Sequence, residues 1–540
     1  MGAEADHCDV VIVGTGAGGG IIAHKLAKAG LRVVSLEQGG VLPDDYFTKT
    51  APPGARLDFG IGPSTDPHDS LFVHPLFADG AHGATTRPAD GFRHFQILKL
   101  NGLQNLWNGV SVRFSEADFA GWPFGYETLA DDYSAVEKLI TVCGTREGIP
   151  ELPDGEFIPP KPLRPADRMI VSAVNALNEP FSHAIPNRKA IITTPGLANS
   201  CISTGICTSG CPVGAVYKFS ARLLPEIADL ENYELRTNAK VARVLRDEGS
   251  ERVSGVEYID TATGERRTLS ARFVVLAAGA IETPRILFNS ADEADPAGLA
   301  NRHDRVGQGL QDNPKSVLST SLLRLWGKKR DYDIGYGDLL ILMSRGKLPD
   351  GSSFPFIGHA IHGLPDVPHY LSGFSGFPPA VKTRLARIMF HSYVTLGLFC
   401  AGEARPENRV RPGNTVDTDG VAQVTVDFTI PKTAELQMAS MLKWGRKILR
   451  KATATKIYES IDNNGTGIHY AGTTAISDDP AAGVVDQDLR CHGLDNLYVC
   501  DGGVIPNLPD KHLTLSIMAL SHRLGTHLET RVRREENVAA

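Results

Sequence analysis

Cysteine is scarce. Eight Cys in 540 residues are too few to staple a chain of this length, so a disulfide scaffold is excluded. No apolar run reaches about 18 residues, so no membrane-spanning helix is expected. Basic charge is not in excess: 55 Lys and Arg face 62 Asp and Glu, a net charge of −7. A nucleic-acid partner is therefore not expected. Residues 1–9 are acidic and lack the apolar core of a secretion signal, so a cytoplasmic location is expected. Internal repeats and low-complexity segments are missing. What remains is an ordinary globular composition, 42% hydrophobic, on a chain too long for one simple core. The 55 Gly and 34 Pro point to many turns and long loops.

The most informative stretch is the amino-terminal one. Val10 to Val13 read as a buried strand that stops at Gly14-Thr-Gly16-Ala-Gly-Gly19. Gly14 suits a tight turn, Gly16 a close approach of backbone to pyrophosphate, and Gly19 close packing of helix on strand. A phosphate would lie at the amino end of that helix. A second strand, residues 31–36, ends at Glu37, about twenty residues on, where a carboxylate can accept from ribose hydroxyls. This context predicts an ADP-dinucleotide site and leaves NAD and FAD open.

Residues 40–95 are rich in Pro, Gly, Asp and His and read as a long surface loop or a lid. The segment Ile97 to Phe114 is glycine-punctuated and offers small residues to a flat partner. Residues 122–137 carry helical spacing, and 148–166, with six prolines, read as an extended linker. A helix is expected over 218–229, then strands over 233–237, 241–245 and 253–258. Phe273 to Gly279 is another buried strand, ending at that glycine and leading into a helix from Glu282. Residues 315–465 look different. Alternating strands such as 316–323 and 422–430, with helices over 381–390 and 434–453, suggest a mainly antiparallel second domain. The tail is dense in motifs: His469-Tyr-Ala-Gly472-Thr473, Cys500-Asp501-Gly502-Gly503 and His512-Leu513-Thr514, before a helix reaching Leu528.

These motifs together resemble the glucose–methanol–choline (GMC) oxidoreductases, flavin-dependent alcohol oxidases and dehydrogenases, over nearly the whole chain. The likeness rests on the first glycine motif with Glu37, Trp122-Pro123 with Tyr126, Ala277 to Pro284, Val306-Gly307 with Leu310-Gln-Asp312, Glu403 to Val410, and the tail from His469 to Arg523. Its flavour is that of the bacterial branch acting on sugars and polyols. The resemblance implies an α/β (mixed α+β) fold, with a Rossmann-like FAD-binding domain and a substrate-binding domain of antiparallel sheet and flanking helices. The expected division is 1–165 for the first FAD-binding part, with its lid-like loop 40–95. Residues 166–200 are an excursion to the substrate domain, and 201–314 the second FAD-binding part. Residues 315–468 form the substrate-binding domain, and 469–540 a carboxy-terminal FAD-binding part with two histidines.

The resemblance also implies FAD rather than NAD. Gly14, Gly16, Gly19 and Glu37 would hold its ADP part, Val241 would meet the adenine, and Ala278 and Gly279 the pyrophosphate. Asn101, Gly102, Asn108 and Gly109 would approach the isoalloxazine, Asp501 and Gly502 the ribityl phosphate, and Leu513 and Thr514 the pyrimidine end. Relatives with covalent FAD use a His where this chain has Leu106, so non-covalent FAD is expected.

Oxidising an alcohol on a flavin needs a base for the hydroxyl proton, and a neutral imidazole suits that task. His469 is expected as the base and His512 as the group that orients the alcohol, although two close imidazoles can exchange these roles. The other histidines, including His359, His362, His391 and His522, are expected to be ordinary surface or core residues. Trp326, Tyr332, Tyr336, Phe354, Phe356 and Tyr370 either line the substrate pocket or form core. Cys201, Cys207 and Cys211 have a spacing compatible with a three-iron cluster, or with reduced buried thiols. The expected partners are a small-molecule alcohol or sugar and an electron acceptor: oxygen, a quinone or a redox protein. A lyase on the same fold is the alternative chemistry, and an idle flavoprotein serving as a binding module the alternative class.

Overall fold

The computed structural model describes residues 7–43, 46, 84–86, 93–179, 182–203, 207, 210–211, 213–328, 339–361, 376–389, 392–461 and 466–539. Most of the expected lid over 40–95 lies outside these residues, as do Tyr332, Tyr336, His362, Tyr370 and His391.

The first strand, His7–Val13, is central because Val10, Val11, Ile12 and Val13 are all buried. Full burial of such side chains contributes about 1.5–3 kcal/mol each. It pairs in parallel with Val33–Glu37 on one side and with the far half of Glu265–Leu276 on the other. The near half of Glu265–Leu276 instead pairs antiparallel with Val253–Asp260, which carries Ala239–Arg246 at the sheet edge. Tyr233–Thr237 closes the opposite edge, and Leu497–Val499 adds a parallel strand to Glu265–Leu276. Amino- and carboxy-terminal segments therefore share one seven-stranded sheet.

Two glycines set the close approaches at the carboxyl ends of its parallel strands. Gly14 has φ +97°, and a Cβ there would lie 2.5 Å from the carbonyl oxygen of Ala277. On the helix Ala17–Lys28, a Cβ at Gly19 would lie 1.9 Å from the carbonyl oxygen of Gly14. Only hydrogen fits at that contact.

The second sheet has six strands in the order Tyr458–Ile461, Lys315–Ser321, Tyr393–Cys400, Ser353–Ile361, Leu339–Lys347, Ser182–Pro186. Every pairing in it is antiparallel. Side chains alternate between its faces with period two. Leu318, Leu396, Leu398, Phe356 and Ala360 join the core beneath helix Lys432–Lys451, with helix Pro165–Asn175 packed alongside. Lys315, Val317, Gly397, Phe399 and His359 belong to the other set. In register, Lys315 sits opposite Phe399, and Gly397 sits between Val317 and His359. That second face roofs the cavity described below.

Several expected elements differ from those observed. The hairpin Arg409–Val416 and Ala422–Asp427 does not join the second sheet. It pairs with Ala84–Thr86, and its Val410, Val424 and Val426 pack into the core of the first sheet. The expected helix 218–229 is one turn, Phe219–Arg222, then a 3-10 turn, Leu224–Glu226. Pro225 explains the break, since it lacks an N–H and its ring clashes with the preceding turn. The last helix, Thr514–Ala539, runs past Leu528. Its polar end is supported by pairs four residues apart, Arg533 with Glu529 at 2.6 Å and Arg531 with Glu535 at 3.7 Å. Among the described residues no helix is long and apolar enough to cross a membrane.

Candidate active site

One cavity of about 350 Å³ runs from the carboxyl edge of the parallel strands to the underside of the second sheet. The switch between strand neighbours at such an edge is where open α/β sheets bind ligands. Glu37, Ala239 and Val241 line one end; His359, Phe399, His469 and His512 line the other.

At the first end the backbone is held by two buried carboxylates. Glu37 accepts from the Thr15 hydroxyl at 2.6 Å, the Thr15 N–H at 3.2 Å and the Gly39 N–H at 3.1 Å. Burial raises its pKa, opposed by those hydrogen bonds. Asp501 accepts from Gly279 N–H at 2.9 Å, the Thr283 hydroxyl at 2.6 Å and Gly503 N–H at 2.8 Å. Burial raises its pKa too. Asp501 thus ties the tail to the turn that carries Ala278 and Gly279.

The middle of the cavity has room for a ligand against bare backbone. A Cβ at Gly16 would meet nothing within 4 Å, and Gly16 lines the cavity at the start of helix Ala17–Lys28. Asn101 spans this region. Its N–H donates to the Thr15 hydroxyl at 3.2 Å, and its side-chain amide exchanges hydrogen bonds with Ser220. The dimensions and donors fit an extended dinucleotide with phosphates at Gly16 and a ribose at Glu37.

The far end holds three imidazoles. The rings of His469 and His512 lie 4.6 Å apart, and those of His512 and His359 lie 4.7 Å apart, both edge to face. Phe399 packs against all three at 5.5 to 6.1 Å. The tautomer of His469 follows from its neighbour. Asn313 Nδ2 donates to the carbonyls of Cys400 at 2.8 Å and Pro509 at 2.7 Å, which orients the amide. Asn313 Oδ1, 2.9 Å from His469 Nδ1, must then accept, so the ring proton sits on Nδ1 and Nε2 keeps its lone pair. Asp312 Oδ1 accepts the backbone N–H groups of Ile468 and His469 at 3.2 and 2.9 Å, and its other oxygen pairs with Lys315. Loss of water around His469 pushes its pKa down to about 3, and Lys315 and His359 add to the effect. His512 is held well below the usual value by burial, then by His469 and Lys315. Its Nδ1 is buried and finds no hydrogen-bond partner among the described residues.

Most of the residues expected at the site line this cavity: Gly14, Gly16, Glu37, Asn101, Gly102, Asn108, Val241, Ala278, Gly279, His469, Asp501, Gly502, His512, Leu513 and Thr514. Leu106 lines it as well and offers no nucleophile. Two expected residues do not. Gly19 is spent on helix packing, and a Cβ at Gly109 would meet Ile191 and the Ala190 backbone, not the cavity. His359 corrects the expectation in the opposite sense, since it lines the cavity. His522 is ordinary: Nδ1 lies 2.6 Å from Asp132 and Nε2 3.1 Å from Lys25. Phe354 and Phe356 are core, and the Trp326 indole donates to Ser321 Oγ at 2.7 Å, away from the cavity. Sequence reading missed Asn313, Lys315 and Phe399. Asn313 and Lys315 directly follow the Leu310-Gln-Asp312 motif, the one signal that could have flagged them.

Two readings stand open for the clustered thiols, a three-iron cluster and reduced buried thiols. Cys201, Cys207 and Cys211 pack with Ile191, Ala215 and Val216 in a small apolar cluster. No group of three or more His, Cys, Asp or Glu among the described residues is arranged to hold a metal ion. A three-iron cluster therefore has no ligand set among them.

Models of the GMC oxidoreductase family match residues 169–315 and 404–521. The chain is 28% identical over 539 residues to paromamine 6'-oxidase of Streptomyces fradiae, covering 95% of this chain and 89% of that one. It is 28% identical over 544 residues to 6'''-hydroxyparomomycin C oxidase of Streptomyces lividus, covering 96% and 92%. In fold it is similar to formate oxidase of Aspergillus oryzae RIB40, with a TM-score of 0.68, 16% identity, and coverage of 99% and 100%. With a dinucleotide cavity reaching paired histidines, and family models matching both halves, the chain belongs to the GMC oxidoreductases, FAD-binding enzymes that oxidise alcohols.

Proposed function

We propose that this protein oxidises a CH–OH group of a sugar, glycoside or related polyhydroxylated compound, with non-covalently bound FAD. The observation that carries the reading is His469, a neutral imidazole whose Nε2 lone pair is fixed by Asn313 at the far end of a dinucleotide-sized cavity. Glu37, Gly14 and Gly16 hold the ADP part, Ala278, Gly279 and Asp501 the phosphates and ribityl chain, and Asn101, Gly102 and Asn108 the ring. Leu513 and Thr514 close its pyrimidine end. Bound FAD supplies a two-electron acceptor for the hydride of the carbinol carbon.

The chain's own residues handle the proton and the geometry. His469 Nε2 takes the hydroxyl proton as the C–O bond becomes a carbonyl. Its depressed pKa keeps it neutral across physiological pH, the form that can accept a proton. His512 contacts the same oxygen and orients the alcohol. A positioned base of this kind contributes about 10²–10⁴ in rate. Phe399 and Val317 of the roof exclude water, which strengthens these polar contacts. Asp312 and Lys315 hold the backbone of Ile468 and His469 in place. Both relatives named above are oxidases named for aminoglycoside compounds, which supports amino sugars and glycosides as the first substrates to try.

The test is an anaerobic panel of aminoglycosides, glycosides, hexoses and simple alcohols, watching the visible flavin absorbance. Bleaching by a polyhydroxylated member supports the reading. A flavin that no alcohol bleaches would sink it. Readmitting air, against adding a dye, then identifies the class of acceptor.

A further inference from the structure

The third imidazole has no task in that reaction. His359 is 2% exposed, yet it lines the cavity. Strand alternation puts it there: Phe356 and Ala360 face the core under helix Lys432–Lys451, so His359 faces the other way. Its Nδ1 lies 3.0 Å from Asn187 Nδ2. As the Asn187 amide is oriented here its nitrogen donates, so Nδ1 accepts and the ring proton sits on Nε2. That Nε2 is buried and finds no hydrogen-bond partner among the described residues. Most buried ring nitrogens are paired, because an unpaired buried donor is destabilising.

The surroundings show where a partner would come from. Gly397, opposite His359 in the roof, has no side chain to fill the space beside the ring. The imidazoles touch in the order His469, His512, His359. His359 thus reaches the far side of His512 and can hold an oxygen other than the one that His469 deprotonates. Burial, the neighbouring His512 and Lys189 all keep His359 uncharged, which suits a neutral hydroxyl or ether oxygen better than a carboxylate.

Resting on the proposed alcohol oxidation, we infer that His359 is a specificity residue whose Nε2–H donates to a second oxygen of the substrate, so that the pocket selects polyols and glycosides over mono-alcohols. A site built to hydrogen-bond a hydroxyl discriminates strongly against an analogue that lacks it.

The test uses the FAD-loaded protein and its His359→Phe and His359→Gln variants, checked for flavin content and melting temperature. Anaerobic flavin reduction is measured with ethylene glycol and ethanol, which differ by one hydroxyl, and with methyl glucoside and its monodeoxy analogues. The ratio of reduction efficiency for ethylene glycol over ethanol is expected to fall about tenfold or more in His359→Phe. His359→Gln, which keeps a donor, is expected to recover part of it. Among the monodeoxy analogues that retain the hydroxyl being oxidised, at least one should lose a similar factor with wild type and no further factor with His359→Phe. A ratio unchanged within about twofold, while wild type is reduced normally, overturns the inference and leaves the parent reading standing. If neither variant keeps its flavin, equal wild-type rates across the monodeoxy analogues that retain the hydroxyl being oxidised overturn it instead. Wild-type flavin that no probe reduces overturns the parent reading, and the inference with it.

Discussion

Asn313 Oδ1 accepts the Nδ1 proton of His469 at 2.9 Å while the same amide's nitrogen is committed to the carbonyls of Cys400 and Pro509. The amide cannot flip without setting Nδ2 against a ring donor and Oδ1 against two carbonyls. The second sheet, through Cys400, thus sets the tautomer of a side chain on the tail. Asn313→Ala removes that control. Flavin reduction by the best substrate is expected to slow about 10- to 100-fold, the scale of a misplaced catalytic group, with flavin content retained. Stopped-flow reduction checks it, and a wild-type rate would show that the tautomer is not set here.

The three cavity histidines make acid sensitivity a consequence of the fold. The pKa of His469 is depressed to about 3, and those of His359 and His512 lie well below the usual value. An unfolded histidine titrates near about 6.5. Below that pH the unfolded chain takes up protons that the folded chain refuses, so stability falls on acidification towards the folded values and is flat above about 6.5. Each such group adds up to about 1.4 kcal/mol per pH unit within that window. Melting temperature measured against pH should therefore drop below about 6.5, and less steeply in His359→Phe. The reaction itself needs the neutral base, so flavin reduction should show no acid limb near about 6.5. Such a limb, or a melting profile with no acid slope, would contradict the depressed values.

The turn at the first strand is expected to tolerate no side chain. In Gly19→Ala the new methyl would sit 1.9 Å from the Gly14 carbonyl oxygen, and the helix must move off the strand. Overpacking of this kind costs about 1–3 kcal/mol. Lower flavin content and a lower melting temperature are both expected, whereas full flavin content would show that the turn adapts.

Asp501 joins three segments through Gly279, Thr283 and Gly503. Asp501→Ala leaves those donors without their acceptor, at about 1–3 kcal/mol for each that stays unpaired. Denaturant melts should show the loss, together with weaker flavin retention. Wild-type stability would mean that solvent replaces the carboxylate.

The sequence made some of this legible and hid the rest for physical reasons. Val10 to Val13, Gly14, Gly16, Glu37 and the strand at Phe273 announce themselves because apolar runs and glycine turns are local signals. His469 and His512 stood out through their motifs. His359 did not, because its role depends on which face of Ser353–Ile361 looks into the cavity, and that is decided by pairing with Tyr393–Cys400. Asn313 is likewise silent until Cys400 and Pro509, from distant segments, orient its amide. The hairpin 409–427 carries the alternation of a sheet strand, but alternation does not say which sheet. Gly109 sits in a glycine-rich stretch, and only its contact with Ala190 and Ile191 removes it from the cavity wall.

The central claim is that His469 takes the proton from an alcohol oxidised at the far end of an FAD cavity. The measurement that tests it most directly is anaerobic flavin reduction in wild type and His469→Ala, both with FAD bound, by the best member of the alcohol panel. Reduction is expected to be about 10²–10⁴ slower in His469→Ala with flavin content unchanged. Reduction at the wild-type rate in that variant would contradict it.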